Sequence, residues 1–289
     1  MRSTCLLFLI LPMLLAAQDE AFDHLERARV AYAAEDMVLA LAHADSAIAL
    51  DATIPGGYKL RGDIKQRSNN LHGALVDYTK AEKQDDSDAR LYVSRSAVYI
   101  TEGRLKEAYR DTDRALKLAP DDPDAYYNRA CASYLGRNNE GALRDLDKAL
   151  KLRPDNADAL FLRGVVRGEM FKEAAGLEDI ESALQLKPGI PGGQLSAAIL
   201  LFEMERFPEA IERFTAVIAS GEDLKEAYYY RADCHYRLED KEAACADWRK
   251  SAELGDRDAV FIVRNYCNTD EAKIPKKPVK KRRQMVIEF

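Results

Sequence analysis

The sequence predicts an all-α fold, a right-handed superhelical solenoid of seven helical hairpins plus a C-terminal capping helix. Two observations predict it. A 34-residue unit recurs seven times without insertion or deletion, starting at Ala21, Pro55, Ala89, Pro123, Ala157, Pro191 and Lys225. A fixed period of that length marks one supersecondary unit that buries its apolar face only by stacking on copies of itself. Small residues also return at fixed places. The eighth position holds Ala28, Gly62, Ser96, Ala130, Gly164, Ala198 and Ala232; the twentieth holds Ala40, Ala74, Ala108, Ala142, Gly176, Ala210 and Ala244. Helices approach closely only where no bulk intervenes.

Further positions agree with two helices per unit. Position twenty-seven is small in most copies (Ala47, Ala81, Ala115, Ala149, Ala183), and position twenty-four is mostly large (Tyr78, Leu146, Ile180, Phe214, Trp248). Pro120, Pro154 and Pro188 fall at position thirty-two, where the second helix must end for want of an amide hydrogen. Position seven is arginine in six units, and position twenty-three is aspartate in five. In the sixth unit both change together, to Ala197 and Arg213. This joint loss predicts direct Arg–Asp pairing between the two helices of a hairpin.

The unit PDAYYNRACASYLGRNNEGALRDLDKALKLRPDN, from Pro123, resembles the tetratricopeptide repeat, and the resemblance extends from Ala21 to Asp258. The last unit and the segment after it, EAACADWRKSAELGDRDAVFIVRNYC, look like the end of secreted tetratricopeptide proteins of the Bacteroidetes. The resemblance implies a non-catalytic scaffold whose first helices line a concave face, chiefly through positions two, five, nine and twelve. Transferred position by position, it implies partner binding by Val93, Ile100, Tyr127, Tyr134, Phe161, Val165, Leu195, Ile199, Phe202, Tyr229 and Tyr236. The lysine–asparagine clamp by which some family members hold acidic chaperone tails is absent: position five offers only Lys59, and position nine offers no asparagine.

The ends differ from the repeats. Residues 1–17 carry Arg2, an apolar run from Leu6 to Leu15, and Ala16-Ala17, the order of a secretory signal cut near Ala17. That implies export, and with the resemblance a periplasmic or surface location in a Gram-negative bacterium. Units 18–258 are followed by an expected capping helix over 259–268, with Ala259, Ile262, Val263 and Tyr266 at helical spacing. Residues 269–289 are expected to form a basic disordered tail. The last twenty residues hold seven basic and three acidic side chains, against a whole-chain charge of −6. The acidic repeats exclude a nucleic-acid grip by the repeats themselves. The tail has three alternative uses: contact with an anionic lipid or envelope polymer, a nuclear-import signal, which a secretory signal on the same chain opposes, or folding back onto the acidic body.

Little points to chemistry. Cys131, Cys234, Cys245 and Cys267 follow the signal, with no metal-ligand spacing, and the four histidines are scattered. Cys245 opens the second helix of unit seven and Cys267 closes the cap beside it, so an exported chain is expected to join them in a disulfide. No phosphate loop, GxSxG or HExxH occurs, and no cofactor is expected. The expected function is a protein or peptide scaffold of the cell envelope. The alternatives are a surface-associated structural protein acting through its tail, and an accessory subunit of an envelope enzyme.

Overall fold

A computed structural model describes residues 4–221, 223–271 and 273–274, with side chains from Ala17 onward. Among these residues fifteen α-helices follow one another, with no strands. They are α1 (Thr4–Ala33), α2 (Met37–Leu50), α3 (Gly57–Arg67), α4 (Leu71–Gln84), α5 (Ala89–Thr101), α6 (Leu105–Leu118), α7 (Pro123–Leu135), α8 (Asn139–Leu152), α9 (Ala157–Glu169), α10 (Glu173–Leu186), α11 (Gly193–Glu203), α12 (Phe207–Ser220), α13 (Leu224–Arg237), α14 (Lys241–Glu253) and α15 (Arg257–Ile262), and α15 runs into a π-helical turn, Val263–Cys267. They form two compact units, up to Ala132 and from Ser133 on, and the division falls within α7.

Each repeat turns between its helices in one way. Position fifteen is left-handed in all seven: Glu35, Asn69, Gly103, Arg137, Phe171, Glu205 and Glu239 all have φ near +60 to +70°. The next amide donates to the carbonyl five residues back, as Asn70 does to Lys65 (2.8 Å) and Lys172 to Arg167 (2.9 Å), closing off the first helix. The second helix then opens on a side-chain cap in several units. Asp36, Asn70, Asn138 and Asp240 accept from the amides of Leu39, Gly73, Gly141 and Ala243 at 2.9–3.0 Å. Two first helices begin late. Pro55-Gly56-Gly57 and Pro191-Gly192-Gly193 place Gly56 and Gly192 at φ +75° and +68°, so α3 and α11 start at the third residue of their units.

The core lies between the paired helices. Tyr78, Leu146, Ile180, Phe214 and Trp248, all at position twenty-four, are fully buried. Small residues at position eight make room for them. A Cβ on Gly62 would lie 2.7 Å from the Tyr78 ring. In unit five both small positions are glycine, and the backbones of α9 and α10 close up: a Cβ on Gly176 would meet the Gly164 carbonyl oxygen at 2.7 Å. Alanine is the better helix former by about 1 kcal/mol, and it stands at position twenty in the other six units. Here it has no space. Gly176→Ala is therefore expected to destabilise the protein by about 1–3 kcal/mol, read as a lower urea midpoint. An unchanged or raised midpoint would show that α9 and α10 separate freely.

At the N-terminus, α1 is one helix from Thr4 to Ala33, with no break at residue 17, where the sequence marks the end of a separate leader. No helix among the described residues is long and apolar enough to cross a membrane. At the other end the cap begins two residues earlier than the spacing suggests. Asp256 accepts from the amides of Asp258 (3.0 Å) and Ala259 (3.1 Å) and starts α15. Ala259, Ile262 and Tyr266 are buried against α14 and Trp248, and Cys245 is disulfide-bonded to Cys267. Residues 269–271 and Ile274 pack onto this end instead of departing from it. Lys241 Nζ donates to the carbonyls of Thr269 (2.9 Å) and Glu271 (3.0 Å), and Ile274 is buried. The remainder of the basic tail lies outside the described residues.

Candidate partner-binding face

Ion pairs fix the helices that carry the candidate face. Arg61 grips Asp77 through Nε (2.8 Å) and Nη2 (2.7 Å). Arg95–Asp111, Arg163–Asp179 and Arg231–Asp247 repeat the fork at 2.7–2.9 Å. Lys65 and Arg167 add a second cation to Asp77 (2.6 Å) and Asp179 (2.7 Å). Burial pushes the Asp77 carboxyl up, but the hydrogen bonds from Arg61 and then Lys65 outweigh it and hold the group below the usual carboxylate range. In unit six Arg213 turns to Gln194 and Glu181, and Ala197 is buried. In unit one Arg27 pairs within its own helix, with Asp23, while His43 meets His24 at 3.0 Å.

A second contact was not visible in the pairing pattern within units. A third nitrogen of most position-seven arginines reaches sixteen residues back, into the preceding repeat, while that of Arg95 reaches Glu82 there instead. Arg61 Nη1 donates to Asp45 (2.7 Å), Arg129 to Asp113 (2.9 Å), Arg163 to Asp147 (2.9 Å) and Arg231 to Thr215 (2.9 Å). One side chain thus sets both the register within a hairpin and the stacking of one hairpin on the last.

The expected face divides by burial. Val93, Ile100, Tyr134, Val165 and Tyr229 are core residues, with Tyr134 and Tyr229 at 0% exposure. They are packing side chains, which corrects their assignment to the partner surface: the first helices stack closely enough for position five or twelve to enter the seam. Tyr127, Phe161, Leu195, Ile199, Phe202 and Tyr236 are half-buried and present part of their surface. In the second unit, Phe202 and Tyr236 are the outer members of a ring cluster. Phe202 lies 5.6 Å from Tyr230, and Tyr236 lies 5.7 Å from Trp248 and 5.6 Å from Tyr266. Burial, then the charge of Asp233, pushes the Tyr230 hydroxyl up to about 12, so it stays protonated. In the first unit the matching positions of repeat two are tied up internally. Lys59 pairs with Asp63 (2.7 Å), and the Tyr78 hydroxyl donates to Asp63 (2.8 Å) or Gln66 (2.7 Å).

Along the turn edge of the second unit a cleft of about 660 Å³ opens where α9, α11 and α13 end. Arg137 and Arg237 are among the residues that line it, and Arg237 pairs with Glu205 at 2.7 Å. No cluster of metal-ligating side chains is present among the described residues.

Residues 95–167 and 195–259 match family models of the tetratricopeptide repeat. No curated protein matches the chain. Among solved structures, a tetratricopeptide repeat protein of Parabacteroides merdae superposes with a TM-score of 0.58 at 21% identity, over 84% of this chain and 96% of that one. PilF of Pseudomonas aeruginosa superposes with a TM-score of 0.61 at 22% identity, over 70% of this chain and 91% of that one. MamA of Desulfovibrio magneticus RS-1 gives 0.52 at 16% identity, over 59% and 96%. At such identities the likeness is one of fold. Repeats of this family serve as scaffolds for protein–protein interaction. The unbroken period, the helical hairpins and the two matched stretches identify the chain as a tetratricopeptide repeat protein.

Proposed function

We propose that this protein is a non-catalytic scaffold of the cell envelope that holds a protein or peptide segment on the first-helix face of its second unit. The observation that carries the reading is the row of half-buried apolar side chains at Phe161, Leu195, Ile199, Phe202 and Tyr236. Its far end rests on a buried cluster of aromatic rings. Rigidly backed aromatic groups that retain exposed surface are the usual anchors of a binding interface. Export is supported by the leader-like order of residues 1–17 and by the Cys245–Cys267 disulfide, which suits an oxidising compartment.

Phe161→Asp tests the face. It places a charge on a half-buried site, so folding should survive while an apolar partner is refused. Partners cross-linked to the tagged wild-type protein in envelope extract of the source organism should be lost from Phe161→Asp by about tenfold or more, with an unchanged helical circular dichroism spectrum. Retention by Phe161→Asp together with loss on deleting Asp270–Phe289 would transfer the function to the tail. Intact mass of the protein recovered from the envelope should correspond to cleavage near Ala17.

A further inference from the structure

Phe171 stands out in the turn edge of the second unit. It occupies the left-handed position of its repeat with φ +58°, where glycine is the residue without strain, and its ring is 87% exposed. A bulky aromatic held in that backbone conformation with its ring in water gains nothing from the fold. Strain of this kind points to a contact made elsewhere. Phe171 borders the 660 Å³ cleft together with Phe202, and four carboxylates line it: Glu169, Glu173, Glu203 and Glu205. Phe171 and Phe202 give the cleft an aromatic lining, and four carboxylates against Arg137 and Arg237 leave it net acidic.

The segment that matches it belongs to this chain. The described residues stop at Ile274, buried in the cluster that closes the last repeat, three residues after the Glu271 carbonyl held by Lys241, and Lys241 lies four positions after Arg237 of the cleft lining. From there residues 275–289 run on with Lys276, Lys277, Lys280, Lys281, Arg282 and Arg283, then the apolar Met285-Val286-Ile287. They reach about 50 Å when extended. Neighbouring helices are spaced about 8–10 Å apart, so the cleft is within reach. We propose that residues 275–289 dock in this cleft, with the lysines and arginines along the glutamates and the apolar end against Phe171 and Phe202. Basic residues followed by the apolar Met285-Val286-Ile287 match a lining that holds both carboxylates and aromatic rings, and the acidic body supplies the attraction over the linking distance.

Zero-length carbodiimide cross-linking of the full chain tests this, because it joins only lysines and carboxylates already in contact. Mapped by mass spectrometry in a mixture of normal and heavy-isotope chains, Lys276–Lys281 should join Glu173, Glu203 and Glu205 within one chain. Phe171→Gly should lower those links about tenfold without lowering the thermal midpoint, since glycine suits the backbone there. Phe161→Asp should leave them unchanged, which separates this docking from the partner face. Three results would overturn the proposal: links scattered evenly over other acids, links only between isotopically different chains (docking onto a second copy), or links indifferent to Phe171→Gly.

Discussion

Asp77→Asn is expected to cost about 3 kcal/mol. Asp77 is 1% exposed and receives Arg61 through two nitrogens and Lys65 through a third. Replacing the carboxylate with an amide leaves two cations facing a neutral group in a place water does not reach, and removes the anchor that holds Arg61 against Asp45 of the previous repeat. The effect has a sign in pH. The folded carboxyl lies below its ordinary value, so in acid the unfolded chain takes up a proton that the folded chain resists. The stabilisation is complete above the unfolded value of about 3.9 and is lost as pH falls through the folded one. Urea midpoints measured from pH 7 down to pH 2 should therefore show wild type and Asp77→Asn converging in acid. Arg27→Ala is the contrast, because its pair with Asp23 is open to water, and should change stability by less than about 0.5 kcal/mol. Equal costs for the two variants would remove the reason for placing the buried fork at the centre of the fold.

That fork was legible in the sequence because it recurs: Arg at position seven accompanies Asp at position twenty-three in five units, and unit six loses both. The backward reach to Asp45, Asp113 and Asp147 was not read, since it links position seven of one repeat to position twenty-five of the one before. Searching for covariation across the repeat boundary would have found it, although Thr215 and the switch of Arg95 to Glu82 blur the pattern. The turn was less visible. Left-handed backbone announces itself through glycine, and only Gly103 does so among the seven residues at position fifteen. Gly176 was legible only as one more small residue at position twenty, and the structure makes it a site where two backbones close up. The partner face was half legible: period identifies which side of a helix looks inward, but not whether the next helix stands close enough to cover it. Tyr134 and Tyr229 share the spacing of Tyr127 and Tyr236, and only packing separates them.

Removing the Cys245–Cys267 disulfide, by Cys245→Ala with Cys267→Ala, is expected to cost about 3 kcal/mol for a bridge spanning 22 residues. Its placement explains why so much rests on one bond. An internal hairpin is covered on both sides by its neighbours, whereas the last has one neighbour and must be closed by a short element. Here that element is a six-residue helix and a π-helical turn, too short to hold itself together as an isolated helix. What fixes it is Ile262 and Tyr266 against Trp248, the Lys241 ammonium 4.5 Å from the centre of the Tyr266 ring, and the disulfide. Without the bond the cap should open locally before the repeats unfold. Hydrogen exchange should then rise over residues 241–274 while amides of α9 and α10 keep their protection, and dithiothreitol should reproduce the effect in the wild type. Cys131 and Cys234, both buried, should stay unmodified by thiol reagents under those conditions. If reduction left exchange in the cap unchanged, the aromatic packing alone would be holding the end of the array, and the bond would be a consequence of the compartment rather than a staple.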